Sequence, residues 1–256
     1  MSDAIEVKLS TEHVVINPGE KAEVTAEVRN AGDVVEVFSV AVEGIESDWY
    51  SLSVTSISLF PGDKEAIRLS LAPPLSSASG AGSYTVTLKV SSRRDPSVAG
   101  TASFSLDVGK VSSYELDLTP RMVRGRSGEF EVVIHNTGNL TNTYKLEGSD
   151  PEGMCEFYFK SDTVAVEAGQ TGTVPMIVNP KKKPLTGPPK LYRFTVKATP
   201  IASDVKTVDG QLECPALLPK WVIMAAAVGV VGVVAVIVLV AVSYTHLRAH
   251  ETSLHL

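Results

Sequence analysis

Hydrophobic and polar positions divide the chain into a long region of short alternating stretches and one uninterrupted apolar block. Ala22–Val28 and Gly128–Ile134 alternate apolar and polar residues with a period of two, which is typical of half-buried β-strands. Turns rich in Gly, Pro, Asn and Asp separate such stretches, and no helical periodicity occurs before Leu217. Trp221–Val240, in contrast, contains no charged residue. The pattern predicts strands in the first two hundred or so positions and one apolar helix after them.

The strand-rich region repeats itself at a nearly constant spacing. VRNAGD at Val28–Asp33 matches IHNTGN at Ile134–Asn139, and YTVTLKV at Tyr84–Val90 matches YRFTVKA at Tyr192–Ala198. Each unit offers about seven short strands, the number in an Ig-type sandwich. We expect the Asn-x-Gly pairs to mark turns because both residue types tolerate positive φ.

This repeat predicts an all-β architecture of two tandem Ig-like or fibronectin-like β-sandwiches followed by one transmembrane α-helix. The first sandwich is assigned to residues 1–109, the second to 113–214, the helix to 220–240 and a tail to 241–256. Pro61-Gly62 and Ala168-Gly169 are expected to open equivalent tight turns in the two sandwiches.

The apolar block has the length of a membrane span. A helix over Trp221–Val240 would cover about 30 Å, the thickness of the hydrocarbon core of a bilayer. Lys220 and Trp221 suit the membrane interface, where ammonium groups and indole rings are favoured. The sequence therefore predicts a single-pass protein of the cell membrane, with the lipid bilayer as a partner and both sandwiches extracytoplasmic.

The final residues have a different character. VSYTHLRAHET at Val242–Thr252 resembles the in-frame translation of a transposase-type sequencing adapter, so residues 241–256 are expected to be non-native. His246, His250 and His255 then form no metal site. Met1–Ser10 contains no apolar signal region, and we expect the metagenomic gene fragment to be truncated at both ends.

Composition and charge exclude several classes of function. The chain has 23 Lys+Arg against 29 Asp+Glu, a net charge of −6, so it lacks the electrostatic footprint of a nucleic-acid binder. Its 2 cysteines cannot form a zinc site alone. The sequence predicts no cofactor and no metal.

Candidate catalytic side chains are scattered. His13 and His135 belong to different repeat units and have no Ser or Cys partner pattern, so a catalytic triad has no support and no enzymatic activity is expected. Acidic residues occupy two equivalent loops without the Asp-x-Asp spacing of a calcium site, which favours solvated loop acids. These are Glu43, Glu46, Asp48, Asp150, Glu152 and Glu156.

Other candidate sites concern modification and the membrane. Asn139-Leu140-Thr141 is an acceptor sequon for N-glycosylation, although Asn139 is also a good turn residue. The dense basic stretch Lys181–Lys183, with Lys190, could meet anionic headgroups if its loop faces the membrane. A solvated loop is the favoured interpretation.

The two cysteines allow alternatives. Cys155 and Cys214 could form a disulfide in an oxidising compartment, provided that their Cα atoms lie within about 7 Å. Cys155 could instead fill the core position of Trp49, and Cys214 could carry a lipid near the membrane. Free thiols are the favoured alternative.

A resemblance follows from several of these motifs. NPGE at Asn17–Glu20, VRNAGD, the lone Trp49, LFPGD at Leu59–Asp63 and GSYTVTLKV at Gly82–Val90 resemble the Ig-like domains of archaeal and bacterial surface proteins. These include the Ig-like domain appended to some alpha-galactosidases and the cell-adhesion-related domain in bacteria. The second unit departs from the pattern, with Arg124-Gly125 in place of Pro18-Gly19.

The resemblance implies a non-enzymatic, membrane-anchored stalk, adhesion or interaction module. A cell-surface protein or polysaccharide would be its partner. Two alternatives remain open: the chain is the C-terminal anchor of a larger, glycosidase-like cell-surface hydrolase, or it is an accessory subunit of a membrane transport or secretion system.

Overall fold

The computed structural model describes residues 4–201, 204–218 and 220–251, except for the side chains of residues 220, 223 and 243–251. The first half contains β1 (Ile5–Leu9), β2 (His13–Ile16), β3 (Ala22–Asn30), β4 (Glu36–Glu43), a short 3-10 helix (Ser47–Trp49), β5 (Tyr50–Leu52), β6 (Ser56–Leu59), β7 (Lys64–Leu71), β8 (Gly82–Ser92) and β9 (Ala99–Val108). The second half contains β10 (Tyr114–Thr119), β11 (Met122–Arg124), β12 (Gly128–Asn136), β13 (Asn142–Ser149), β14 (Cys155–Phe159), β15 (Thr163–Val166), β16 (Thr171–Pro180), β17 (Lys190–Pro200) and β18 (Lys206–Cys214), and α1 (Lys220–Glu251) follows.

The strands form two sandwiches with the same topology. In the first, the sheet β1-β3-β7-β5 packs on the sheet β2-β9-β8-β4-β6; in the second, β10-β12-β16-β14 packs on β11-β18-β17-β13-β15. Adding nine to each strand number of the first sandwich gives the strand order of the second, so the two sandwiches are topologically identical. The predicted fold class, all-β Ig-like sandwiches followed by one apolar helix, is confirmed. The exact limits of the domains stay a prediction.

The estimate of about seven strands per unit is too low, because the described residues form nine in each sandwich. The first strand of each unit is split between the two sheets. In the first sandwich, β1 pairs antiparallel with β3, whereas β2 crosses to the other sheet and pairs parallel with β9. In the second, Pro120 lies at the same break and cannot donate a ladder hydrogen bond.

Alternation along the strands produces the two cores. In β3, the side chains of Val24, Ala26 and Val28 are buried while their neighbours are more exposed. Trp49 packs edge-on against Tyr84 with ring centroids 5.2 Å apart, and Phe130 packs edge-on against Phe194 at 5.0 Å. Burial of each valine or phenylalanine side chain contributes about 1.5–3 kcal/mol.

The Asn-x-Gly turns depend on a side chain rather than on positive φ. No described non-glycine residue has positive φ, and neither Gly32 nor Gly138 is among the glycines that do. The expected backbone reason is therefore wrong. Instead, the buried Asn30 amide donates to the carbonyls of Val34 and Leu59, at 2.9 and 3.0 Å, while its oxygen accepts from Gly32.

Asn136 repeats this network in the second sandwich. Its amide donates to the carbonyls of Leu140 and Val166, at 2.8 and 2.9 Å, and its oxygen accepts from Gly138. The predicted tight turns are confirmed at Gly62 and Gly169, with φ of 83° and 72°. The two copies therefore share a buried asparagine at one turn and a left-handed glycine at another.

Helix α1 is the one element outside the sandwiches in the described chain. Its Met224–Val242 segment is long and apolar enough to cross a membrane, and none of it is buried against the sandwiches. The helix continues to Glu251, beyond the predicted limit at residue 240 and into the predicted tail.

Candidate functional site

Three of the six candidate carboxylates are engaged in local contacts. Asp150 accepts hydrogen bonds from the backbone of Met154 and Cys155, at 2.6 and 3.1 Å, and so closes its loop. Glu43 lies 3.6 Å from the Lys89 ammonium group. The remaining acids are Glu46, which precedes the 3-10 helix; Asp48, within that helix; the exposed Glu152; and Glu156, which accepts from the Tyr158 hydroxyl at 2.8 Å. Among the described residues, no three His, Cys, Asp or Glu side chains are grouped to hold a metal ion.

The two histidines join neighbouring strands in separate sandwiches. His13 Nε2 lies 3.5 Å from the Asp107 carboxylate, which links β2 to β9. His135 Nδ1 lies 3.0 Å from Thr171 Oγ1, which links β12 to β16. The structure does not bring these histidines together.

Asn139 occupies the junction between the sandwiches. It is only 3% exposed, and its amide nitrogen donates to the carbonyls of Ser79 and Gly109 at 2.8 and 2.9 Å. Its side-chain oxygen accepts from the Val111 backbone at 2.7 Å. Its own carbonyl accepts from Ala81 at 3.1 Å. One asparagine therefore connects a loop of the first sandwich, the linker and a turn of the second.

This placement bears on glycosylation. An N-glycan would be attached to the same buried nitrogen that holds Ser79 and Gly109. A glycan at Asn139 and the junction described above therefore exclude each other sterically. Glycosylation at this residue stays a prediction.

Further contacts close the junction. A cavity of about 230 Å³ lies between the two sandwiches, lined by Pro18, Leu75, Ser76, Val111, Ser113, Thr137 and Asn139. A Cβ atom on Gly169 would come within 2.5 Å of Ser77 Oγ, and one on Gly138 within 2.4 Å of the Val111 carbonyl. Glycine at both positions thus allows the linker and the loop of the first sandwich to approach the second.

Both cysteines are free thiols buried in the core of the second sandwich. Cys155 is 5% exposed and Cys214 is fully buried. Burial, followed by the charge of Asp150, raises the pKa of the Cys155 thiol from its ordinary value of 9.0 to about 11. The thiol of Cys155 is therefore protonated, and hence unreactive, at neutral pH.

The cysteines lie at the same end of the sandwich, on facing sheets. Cys155 pairs in register with Pro180, the last residue of β16, and Cys214 pairs with Lys190, the first residue of β17. Both also contribute, after desolvation, to raising the pKa of the Tyr192 hydroxyl. Disulfide formation between them and lipidation of Cys214 stay predictions.

A cleft beside the junction was not anticipated from the sequence. It has a volume of about 450 Å³ and is lined by Lys110, Ser112, Ser113, Tyr114, Leu140, Asp204 and Lys206. The Tyr114 hydroxyl lies 2.9 Å from the Ala198 carbonyl and accepts from the Lys206 backbone at 2.7 Å. Burial raises the pKa of Tyr114, so this hydroxyl stays protonated and serves to fasten the β17–β18 loop.

The basic stretch lies at the opposite end of the second sandwich, next to α1. Lys181, Lys182 and Lys190 are exposed and Lys183 is half-buried. The backbones of Leu217 and Leu218 donate to the carbonyls of Pro184 and Leu185, at 3.2 and 2.9 Å. Trp221 is 70% exposed, while the side chain of Lys220 lies outside the described residues.

Comparison with known proteins gives no family. No known family and no curated protein matches the chain. Among solved structures, a protein of unknown function from Porphyromonas gingivalis W83 is similar, with 15% identity and a TM-score of 0.30, over 81% of this chain and 99% of that one. The periplasmic chaperone SfaE is similar with 15% identity and a TM-score of 0.30, over 81% of this chain and 100% of that one. Domains 4 and 5 of the S-layer protein SbsC are similar with 11% identity and a TM-score of 0.33, over 70% of this chain and 77% of that one.

Proposed function

We propose that the chain is a single-pass membrane protein whose two Ig-like sandwiches form a non-enzymatic, extracytoplasmic stalk that presents an adhesion or interaction surface. The observation that carries this proposal is that the uncharged apolar segment Met224–Val242, which the rest of the protein leaves unburied, follows two sandwiches joined end to end. In water this segment would expose large apolar side chains from Met224 to Val242. A bilayer removes that cost.

The junction supports the function of a stalk. Hydrogen bonds from Asn139 reach both Ser79 and Gly109, so the connection consists of more than a flexible linker. The surface that such a stalk presents would bind a cell-surface protein or a polysaccharide.

The state of the candidate groups supports an interaction function over catalysis. His13 and His135 hold strands of different sandwiches, and the carboxylates of Asp150 and Glu43 are occupied by local partners. A nucleophile is activated by an adjacent base, by a lowered pKa or by a metal ion. The thiol of Cys155 has instead a raised pKa.

Flotation of the full chain with phospholipid vesicles tests the anchoring. We expect the protein to float with the vesicles and to resist an alkaline carbonate wash. Val230→Arg and Val234→Arg together should abolish this resistance, since each arginine at a helix centre costs about 2.5–3.5 kcal/mol on insertion. Val230→Leu and Val234→Leu together are the matched control. Release of the unmodified chain by carbonate would contradict the proposal.

A further inference from the structure

The membrane-proximal pole of the second sandwich combines exposed apolar side chains with a lysine-rich loop. We define this pole by the β16–β17 loop, residues 181–189, and by the segment that leads into α1, residues 215–218. Leu185, Leu217 and Leu218 are 63%, 56% and 41% exposed. Lys181–Lys183 and Lys190 flank the exposed Leu185 on its loop.

Hydrogen bonds fix the loop beside the start of the helix. Leu217 and Leu218 donate to Pro184 and Leu185. Arg126 Nη1 lies 3.3 Å from the carbonyls of both Pro184 and Pro215 and so fastens the two segments to each other. From Leu218 to Trp221 the chain can span at most about 11 Å, which is close to the Debye length of about 10 Å in 0.1 M salt. A bilayer entered by α1 at Trp221 would therefore have its headgroups near the loop that carries the lysines.

The lysines are available for a ligand. Among the described residues, none of these four lysines has a carboxylate oxygen within 4.0 Å. Lys181 Nζ donates to the Gly153 carbonyl at 2.9 Å, and Lys190 Nζ lies 4.9 Å from the centre of the Tyr192 ring. Acidic groups at the same pole are Asp150, whose oxygens bind its own loop, the exposed Glu152, Glu156, which accepts from the Tyr158 hydroxyl, and Glu213, which pairs with Arg124 at 3.5 Å. The basic groups there are the four lysines, Arg124 and Arg126. Basic groups are therefore in excess at this pole.

The first sandwich provides an internal comparison. Its equivalent loop, residues 74–81, has no charged residue, and it contacts the next body along the chain: Asn139 binds Ser79, and Ala81 binds Asn139. In the second sandwich the next body along the chain is the membrane span. The same loop is lysine-rich there, and its apolar tip is exposed. The loop is thus uncharged where it contacts another sandwich and basic where it lies beside the apolar helix.

We propose that this pole docks on the headgroups of anionic phospholipids, with Lys181–Lys183 and Lys190 against the phosphates and Leu185 at the acyl boundary. The proposal rests on the proposed membrane anchoring and adds a specificity for lipid charge. Leucine side chains gain from burial in the interfacial region, and ammonium groups gain from a negative surface potential. Docking fixes the orientation of the second sandwich relative to the bilayer, which a flexible connection to the helix alone would not do.

Spin labelling of the full chain in vesicles tests this docking. A nitroxide on Leu185→Cys reports collisions with a water-soluble nickel chelate, while Cys155 and Cys214 are buried and escape labelling. We expect nickel collisions at this position to fall about threefold or more in vesicles containing equal parts of phosphatidylglycerol and phosphatidylcholine, compared with phosphatidylcholine alone. A label on Phe60→Cys, 63% exposed at the far end of the first sandwich, should show no difference.

Charge removal completes the test. Changing Lys181, Lys182 and Lys183 to Gln should abolish the difference between the lipids, whereas the same change at Lys8, Lys21 and Lys64 of the first sandwich should preserve it. In the unmodified chain, 1 M salt should also abolish it, because the Debye length falls from about 10 to about 3 Å.

The outcomes separate the two proposals. Flotation with both kinds of vesicle, but equal nickel collision rates at position 185 in the two lipid mixtures, would overturn the docking alone. A difference in nickel collisions between the lipids that persists in the lysine-to-glutamine variant or in 1 M salt would also overturn it. Flotation with neither kind would overturn the anchoring, and the docking with it.

Discussion

At the scale of single residues, two asparagines in one turn have separate roles. The Asn136 side chain binds Leu140 and Val166 within the second sandwich. The Asn139 side chain instead binds Ser79, in a loop of the first sandwich, and Gly109, which follows the last strand of that sandwich. Sequence alone indicates a turn and a sequon at these positions. It does not indicate a junction, because the partners of Asn139 lie far away along the chain and offer backbone carbonyls, which any residue type supplies.

Asn139→Ala should destabilise the junction. The substitution leaves the buried carbonyl of Ser79 and the Val111 backbone N–H without their partners, at a cost of about 1–3 kcal/mol. Denaturant unfolding of the full chain in detergent measures the change in the free energy of unfolding. Asp33→Ala, at the equivalent but exposed position of the first sandwich, is the control and should change it by less than about 0.5 kcal/mol. Equal effects of the two substitutions would contradict the assignment of the junction.

Cys155 should make stability depend on pH in the alkaline range. Its pKa rises on folding from 9.0 to about 11, so between these values the unfolded chain releases a proton that the folded protein retains. Stability is therefore complete below about pH 9 and falls by about 2–3 kcal/mol as the pH rises toward 11. Tyrosine hydroxyls ionise in the same pH range. The informative quantity is therefore the difference between the unmodified chain and Cys155→Ala in how the free energy of unfolding depends on pH. Parallel curves for the two would show that Cys155 is not a buried free thiol.

At the scale of elements, the repeated turn combines a buried asparagine with a left-handed glycine. Asn30 and Asn136 each connect the end of one strand to a short strand in the facing sheet. Alternation and turn residues predict most of the strands and the tight turns at Gly62 and Gly169. They could not show that the first strand divides between two sheets, since a pattern of period two is satisfied in either sheet.

Asn30→Ala and Asn136→Ala should be equally costly if the two turns are equivalent. Each substitution removes two donated hydrogen bonds and one accepted bond from a buried site, so we expect losses of about 2–3 kcal/mol in each case. Thermal unfolding followed by circular dichroism measures them. Asn17→Ala is the control, because Asn17 is exposed and its amide binds only the Glu20 carboxylate. A loss at one turn but not at the other would contradict the equivalence.

At the scale of the whole molecule, the two sandwiches stand in series and the basic pole of the second adjoins the helix. The repeat in the sequence predicted the series, and the apolar block predicted the helix. The sequence favours a solvated loop at Lys181–Lys183. The hydrogen bonds from Leu217 and Leu218 place this loop beside the segment that leads into the helix, and the solvated loop stays a prediction. Backbone contacts of this kind leave no trace in the pattern of side chains.

Neutron reflectometry of the full chain in a supported bilayer of phosphatidylglycerol and phosphatidylcholine tests the central claim most directly. β17 runs 11 residues from pole to pole, about 36 Å, so two sandwiches in series should form a layer that extends about 60–70 Å from the headgroups. Helix density should cross the hydrocarbon region beneath it. A protein layer of only about 30 Å, or a hydrocarbon region without protein density, would contradict the account of a membrane-anchored stalk.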